Sequence, residues 1–282
     1  MDFIEILKAI VQGIVQGITE WLPISSTGHI LLLDTVWPMQ VSKEFFEVFK
    51  VVIQLGSILA VVVLYFHKLN PFSGKKSQQE KRDTWSLWGK VLVASIPAGV
   101  AGILLNDLID NTLSLPAVIA AALIVYGIAF LWMESRKKEP RIRSFQEMSY
   151  KSALGIGVFQ MLALIPGTSR SGSTILGATL FGASRPVAAE FSFFMAIPVM
   201  LGASALKVLK FVMDGLSFTS GEWATLIIAT VVSFLVSLIV IRFLMSFIKK
   251  HDFKPFGWYR IALGALVIVL LLTGVMSNTV HA

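Results

Sequence analysis

Residues 152–186, SALGIGVFQMLALIPGTSRSGSTILGATLFGASRP, decide how this chain folds. Most of the stretch is apolar enough for a bilayer interior. Yet Pro166-Gly167-Thr168-Ser169-Arg170-Ser171-Gly172 interrupts it with residues that neither continue a helix easily nor suit lipid. Ahead of it runs a basic connection, 134–151, with Arg136, Lys137, Lys138, Arg141 and Arg143. Beyond it come two long apolar segments and a second basic connection, 242–254. Basic connections stay on the cytoplasmic side. Two crossings already carry the chain from one to the other, so residues 152–186 must cross zero times net. A broken helix that enters and leaves by one face satisfies both the apolarity and the parity.

Composition places the rest of the chain in the same solvent. Hydrophobic residues make up 55% of 282 positions and charged residues 15%, where a soluble domain carries about 25% charge. The mean hydropathy is +0.77. The net charge of +7 does not point to nucleic acid, because Lys and Arg fall in short runs between apolar segments rather than along one stripe. Without cysteine there is no disulfide framework, thiolate nucleophile or Cys-based metal site. Asp2 and Glu5 stand where a secretory leader would be basic, and no small-x-small cleavage pattern follows, so residue 1 onward is expected in the mature protein.

Six segments are long enough to cross hydrocarbon as helices, at about 48–66, 86–105, 116–133, 188–211, 224–248 and 259–276. The connection 67–90, with Lys68, Lys75, Lys76, Lys81 and Arg82, joins the two basic ones on the cytoplasmic side. The connections 106–115 and 214–223 carry acids and no Lys or Arg, as an outer face requires, although Lys207 and Lys210 fit that face poorly. Residues 3–40 repeat the broken pattern around Pro23-Ile24-Ser25-Ser26-Thr27-Gly28-His29. Glu44-Phe45 precedes Gly56-Ser57 by the interval that separates Glu190-Phe191 from Gly202-Ala203.

Each half therefore reads as a re-entrant pair followed by three spans, and an odd number of spans inverts the second half. The expected fold is an all-α polytopic membrane protein: six transmembrane helices plus two re-entrant helix pairs arranged as inverted-topology repeats. It forms one integral membrane domain over 1–282, with pseudo-repeats 1–133 and 149–276 and a cytoplasmic linker, 134–148. The two polar breaks would then meet near the middle of the bilayer.

Gln16 and Glu20 are four apart, on one helical face, among Ile18, Trp21, Leu22 and Ile24. An acid in such surroundings is costly unless paired or facing a polar cavity. Ser25, Ser26, Thr27, Gly28 and His29 lead into an apolar helix; Ser25 suits ordinary capping, while the spacing of Ser26 and His29 can bring an imidazole near a hydroxyl. Thr168, Ser169 and Ser171 surround Arg170 in a second such loop. Helix N-terminal amides, hydroxyls and a guanidinium fork favour phosphate, and a pairing of Arg170 with Glu20 is the alternative. Arg185 and Glu190 read as interfacial anchors or partners, Lys50 as a snorkelling cation, and Gly99 and Gly102 as helix-packing positions.

An acid, a hydroxyl, an imidazole and an arginine in phosphate-friendly loops indicate phosphoryl hydrolysis or transfer on an amphiphilic substrate. The run from Gln16 to His29, QGITEWLPISSTGH, and Pro166 to Gly172, PGTSRSG, closely resemble the two signature motifs of bacterial undecaprenyl-diphosphate phosphatases, the bacitracin-resistance family. The likeness covers nearly the whole chain, including Val52-Ile53-Gln54-Leu55-Gly56-Ser57. It implies removal of the terminal phosphate from an isoprenoid-diphosphate lipid in the bacterial plasma (inner) membrane. The product is the monophosphate carrier for peptidoglycan precursors, and the active site opens toward the outer face. Glu20, Ser26, His29 and Arg170 match the family's essential positions, with Gln16, Ser25, Thr27, Gly28, Thr168, Ser169 and Ser171 as substrate-binding candidates.

Many members carry a second Glu where this chain has Gln16, which can ligate a cation but cannot act as a base. The resemblance also implies a divalent cation, Mg²⁺ or Ca²⁺, with Glu20 and the substrate phosphates as hard oxygen ligands. The oligomeric state stays open, a homodimer included. The lipid phosphatases that combine Pro-Ser-Gly-His with Ser-Arg and a later His fit poorly, since Leu176 stands where that His would fall. A transporter or flippase for a lipid phosphate is the rival of a different class, because broken helices meeting at mid-membrane also serve transport.

Overall fold

In the computed structural model, residues 3–105, 115–136 and 138–276 are described, and they are helical apart from connections and an isolated bridge between Ile142 and Ala183. In chain order the helices are α1 (Phe3–Thr19), α2 (Ser26–Val36), α3 (Lys43–Leu64), the single turn α4 (Phe66–Leu69), α5 (Gln78–Leu104) and α6 (Pro116–Ser135). The second half holds α7 (Tyr150–Met161), a 3₁₀ turn (Leu162–Leu164), α8 (Arg170–Leu180), α9 (Arg185–Met213), α10 (Ser220–Phe247) and α11 (Lys254–Leu272). Most of the expected outer connection 106–115, and Lys137 of the basic connection, lie outside the described residues.

The six expected spans are present as α3, α5, α6, α9, α10 and α11, each long and apolar enough to cross a membrane. Several begin earlier than hydropathy alone placed them, because their caps lie in polar sequence outside the apolar window. Capping boxes at Ser77 with Glu80 and at Thr219 with Glu222 start α5 and α10. Proline in the first turn starts α6, α9 and α11. By contrast α2 and α8 have 11 residues each, about 16 Å of helix, well short of a hydrocarbon core of about 30 Å.

Helices here cannot gain from hiding apolar surface from lipid, so close backbone approach does much of the packing. A Cβ on Gly13 or Gly17 of α1 would stand 2.6 or 2.8 Å from the Ala229 or Ser233 carbonyl of α10. On Gly157 of α7 it would stand 2.2 Å from the Ala94 carbonyl of α5, so α7 packs on α5 as α1 packs on α10. Glycines also bring α6 and α11 together, with Gly127 against the Gly257 carbonyl and Gly264 against that of Ala120. Gly99 and Gly102, expected to pack helices, do not: Gly99 faces open space and Gly102 meets only the Leu164 side chain, because that face of α5 points outward. A buried hydroxyl cluster, Ser57, Ser233 and Ser237, ties α3 and α10 to the Gly17 carbonyl.

The outward faces carry Leu92, Ile96, Val125, Trp132, Leu235 and Ile239, all more than half exposed, as a surface solvated by lipid requires. The interior places α1–α2 and α7–α8 so that the two breaks adjoin each other.

Candidate active site

The two breaks use the same local device. Ser25 and Ser169 sit in the left-handed region at φ 77° and 71°, where a side chain costs of order 1–3 kcal/mol unless the surroundings hold it. Each caps its helix: the Ser25 hydroxyl accepts the Gly28 amide at 3.3 Å, and the Ser169 hydroxyl accepts the Gly172 amide at 3.1 Å. The caps take up the Gly28 and Gly172 amides and leave the earlier first-turn amides of both helices without an intrahelical partner.

Glu20, on the turn after α1, and Arg170, first residue of α8, meet there. Arg170 Nη2 donates to Glu20 Oε1 at 2.8 Å, with the two side chains 11% and 3% exposed. The other oxygen, Oε2, accepts from Gln16 Nε2 at 2.9 Å and from the Ser26 hydroxyl at 3.1 Å. Arg170 is held from behind by α9, where Nη1 donates to the Ser192 carbonyl at 2.7 Å and more weakly to its hydroxyl at 3.3 Å. Its guanidinium also lies over the buried Trp21 ring, 5.5 Å from the centroid. Gln16 Oε1 and Arg170 Nε are buried without a partner, an acceptor and a donor that the site leaves unused.

The expected contact between Ser26 and His29 is replaced by another. Ser26 donates to Glu20, while His29 turns to Ser25 and to α11: Nδ1 lies 2.7 Å from the Ser25 carbonyl and Nε2 lies 2.7 Å from the Tyr259 hydroxyl. A carbonyl only accepts, so Nδ1 carries the proton, and in the neutral ring Nε2 accepts from Tyr259. The reason is the start of the helix, where residues three apart share a face but the imidazole is drawn back to the last carbonyl before the turn. The rings of His29 and Tyr259 are parallel at 5.6 Å.

The remaining hydroxyls differ in what they can reach. Thr168 donates to the Leu162 and Ile165 carbonyls and closes the turn ahead of α8. Ser171 donates to the Glu20 carbonyl at 3.1 Å and so joins the two loops, while Ser25 and Ser169 are the caps. Gly28 and Gly172 contribute amides already used by those caps. Ser26 is part-exposed and Thr27 is exposed, and Thr27 lines a cleft of about 410 Å³ together with Pro166 and Ile119. Lys43, Lys50, Lys207 and Lys210 stand along the same cleft beside Glu44, Glu47 and Asp214, which gives Lys207 and Lys210, a poor fit to an outer face, a polar cleft to line. Lys50 pairs with Glu47 at 2.5 Å. Arg185 and Glu190 are structural partners away from the site: Arg185 is bidentate to Glu134, and Glu190 pairs with Lys68.

Three residues at this site escaped the sequence reading: Ser192, Tyr259 and Arg260. Arg260 is fully buried and donates to carbonyls of both loops, Pro23 at 3.1 Å, Gly167 at 2.8 Å and Thr168 at 3.0 Å. A cation at the start of an apolar segment was the available signal, and it reads equally as an interfacial anchor.

A polytopic helical protein that joins an acid, an arginine and a serine where two capped, broken helices meet is a membrane protein with a hydrogen-bonded polar centre built inside its own helical bundle. The chain belongs to the family described as Bacitracin resistance protein BacA, which it matches over residues 9–266. It is 56% identical to an undecaprenyl-diphosphatase of Enterococcus faecalis over 270 residues, covering 95% of this chain and 98% of that protein. It is 58% identical to undecaprenyl-diphosphatase 1 of Clostridioides difficile, over 95% of this chain and 96% of the relative. An undecaprenyl-diphosphatase of Lactiplantibacillus plantarum is 57% identical, over 94% and 97%.

Proposed function

We propose that this chain hydrolyses undecaprenyl diphosphate to undecaprenyl phosphate and inorganic phosphate, recycling the lipid carrier of peptidoglycan synthesis and conferring bacitracin resistance. The names of its relatives support the substrate. The observation that carries the chemistry is the single hydrogen-bonded chain Arg170–Glu20–Ser26 built from two loops 150 residues apart in sequence.

The diphosphate head takes Arg170 from Glu20, since a guanidinium fork binds phosphate oxygens as it binds carboxylate. The unpartnered Arg170 Nε and the first-turn amides of α2 and α8 that the caps leave free are the further donors this reading assigns to the same charge. Glu20, released from Arg170, keeps Ser26. Attack on the terminal phosphorus, by water held beside Ser26 or by the Ser26 oxygen, passes its proton to Glu20 as the bond to the lipid-side phosphate breaks. Where Ser26 attacks, water then displaces the serine oxygen from phosphorus, releasing inorganic phosphate while the serine oxygen takes a proton back. His29, its Nδ1 proton held by the Ser25 carbonyl, has to take up a proton at Nε2 in place of the Tyr259 bond before it can, as imidazolium, protonate the departing oxygen.

A divalent cation fits the residues present. Glu20 and the unpartnered Gln16 Oε1 would hold Mg²⁺ or Ca²⁺ together with substrate oxygens, as hard oxygen donors do, although among the described residues no three acidic or His side chains are grouped so as to hold an ion by themselves. The ion would neutralise diphosphate charge.

The two halves are inverted repeats with re-entrant pairs, 1–133 and 149–276, set in the bacterial plasma membrane. The basic connections are cytoplasmic and the site opens outward, and the protein works alone or as a homodimer. Matching loop caps, the matched packing of α1 on α10 and α7 on α5, and the cleft running from Thr27 to Asp214 support this arrangement.

Purified protein incubated with undecaprenyl diphosphate, with and without chelator, tests the assignment by released phosphate. Release that falls with chelator is expected. Lipid flux between vesicle leaflets with no phosphate released would establish the transport reading instead.

A further inference from the structure

Arg260 is the one guanidinium of this site that has no carboxylate. It is 0% exposed, and among the described residues no acidic side chain lies within ion-pairing distance. Its donors go to three backbone carbonyls, one in the first loop and two in the second, and its guanidinium carbon lies 5.3 Å from the Tyr126 ring centroid. Nε has no partner at all. Gly172 makes room for it, since a Cβ there would stand 3.3 Å from Arg260 Nη1.

A buried charge without a counter-ion is expensive, more so in a protein surrounded by lipid. Carbonyl dipoles and a ring face offset part of that cost, and an anion bound nearby would offset more. The same three bonds have a geometric effect. A trans peptide points its N–H away from its C=O, so a Thr168 carbonyl turned onto Arg260 turns the Ser169 amide the other way. One side chain of α11 thereby fixes the two loops relative to each other, although among the described residues no backbone–backbone hydrogen bond joins them directly.

We infer that Arg260 is a positioning residue for phosphoryl hydrolysis: it clamps both loops by their carbonyls and leaves a fixed, uncompensated positive charge behind the diphosphate, so that the site is complete only when an anion fills it. The inference rests on the hydrolytic reading above. Arg170, neutralised by Glu20 until substrate arrives, supplies the contact, and Arg260 supplies the standing field and the register of the loops.

Charge and clamp separate in two variants. Arg260→Lys keeps a cation but a single ammonium cannot span carbonyls of two loops in a planar fork. It is expected to hold KM within about threefold while kcat falls by about tenfold to 100-fold, the scale for misplaced catalytic groups. Arg260→Met removes both, and KM is expected to rise by about tenfold or more as well. Each variant is checked for a monodisperse profile in detergent and for its unfolding temperature, and inhibition by inorganic diphosphate gives a second reading of anion affinity.

Wild-type kcat and KM in a folded Arg260→Met overturn the inference. So do equal losses of kcat in both variants with unchanged KM and unchanged diphosphate inhibition, which would make Arg260 purely structural. If Arg260→Met fails to fold, Arg260→Lys alone decides: undiminished kcat refutes the clamp, and a KM raised as much as kcat is lowered refutes the field. Wild-type protein assayed in parallel keeps the two readings apart, since a wild type that releases no phosphate sinks the assigned activity and the inference with it.

Discussion

Replacing Glu20 by Gln preserves shape and removes one charge from a centre that has been built around it. The carboxylate now serves three donors, Arg170 at 2.8 Å, Gln16 at 2.9 Å and Ser26 at 3.1 Å. An amide has one oxygen, so its NH₂ must face at least one of them, and Arg170 is left as an unpaired buried cation. Removing one partner of a buried ion pair costs about 3–5 kcal/mol. The lower end is expected here, because Nη1 keeps both bonds to Ser192. Arg170→Gln should cost a similar amount by stranding the carboxylate. The double variant strands nothing, so its cost should fall short of the sum by about 2–3 kcal/mol. Thermal unfolding in detergent reads this, at roughly 2–4 °C per kcal/mol for a chain of this size. Phosphate release should drop by more than about 100-fold in each single variant, and pairing the two should not restore it, since chemistry needs both groups. Additive unfolding shifts would refute the coupling; turnover within about threefold of wild type in Glu20→Gln would refute the catalytic centre.

Tyr259→Phe removes the hydroxyl from His29 Nε2 and should lower kcat by roughly fivefold, the value of one hydrogen bond of about 1 kcal/mol, while the unfolding temperature stays nearly unchanged; an unaltered kcat would show that His29 orientation does not matter. Gly56→Ala would place a Cβ 2.2 Å from the Thr230 carbonyl and should destabilise by about 1–3 kcal/mol through forced separation of α3 and α10, read as a lower unfolding temperature. In the cysteine-free background, single Cys residues placed between Lys75 and Lys81 should resist membrane-impermeant reagents in intact cells, and strong labelling there would reverse the orientation.

The cleft lysines illustrate how context changes the meaning of a charge. Counted along the sequence, Lys207 and Lys210 contradict a simple rule for loop orientation. Placed in the fold, they share a cleft with Lys43, Lys50, Glu44 and Glu47 that reaches Thr27 beside the proposed chemistry. A charge facing a polar cleft between helices is solvated there and says little about which side of the membrane its loop occupies.

Much of the architecture was legible because the bilayer is a strict solvent. Six windows of sufficient apolar length became α3, α5, α6, α9, α10 and α11, and the breaks at Pro23 and Pro166 became turns ahead of short capped helices. Pairing of Glu20 with Arg170 was readable too, since a lone acid and a lone base in apolar surroundings have few other partners. Hydropathy, however, carries no information about which faces touch. Glycine spacing alone selected Gly99 and Gly102, whereas the close contacts fall at Gly13, Gly17, Gly127 and Gly157, and only helix placement decides between them.

Sequence by itself determined the solvent, the number of spans and the residue types gathered at the breaks, because burial in lipid forbids unpaired backbone and unpaired charge at any position along the chain. Tertiary structure alone decided that Ser26 answers to Glu20 and not to His29, that Tyr259 holds the imidazole, and that Arg260 reaches both loops. Tyr259 and Arg260 come from α11, far from α2 in sequence, while Glu20 lies just six residues before Ser26. In both cases a hydrogen bond is settled by direction and distance within a fraction of an ångström, which spacing along a chain does not encode.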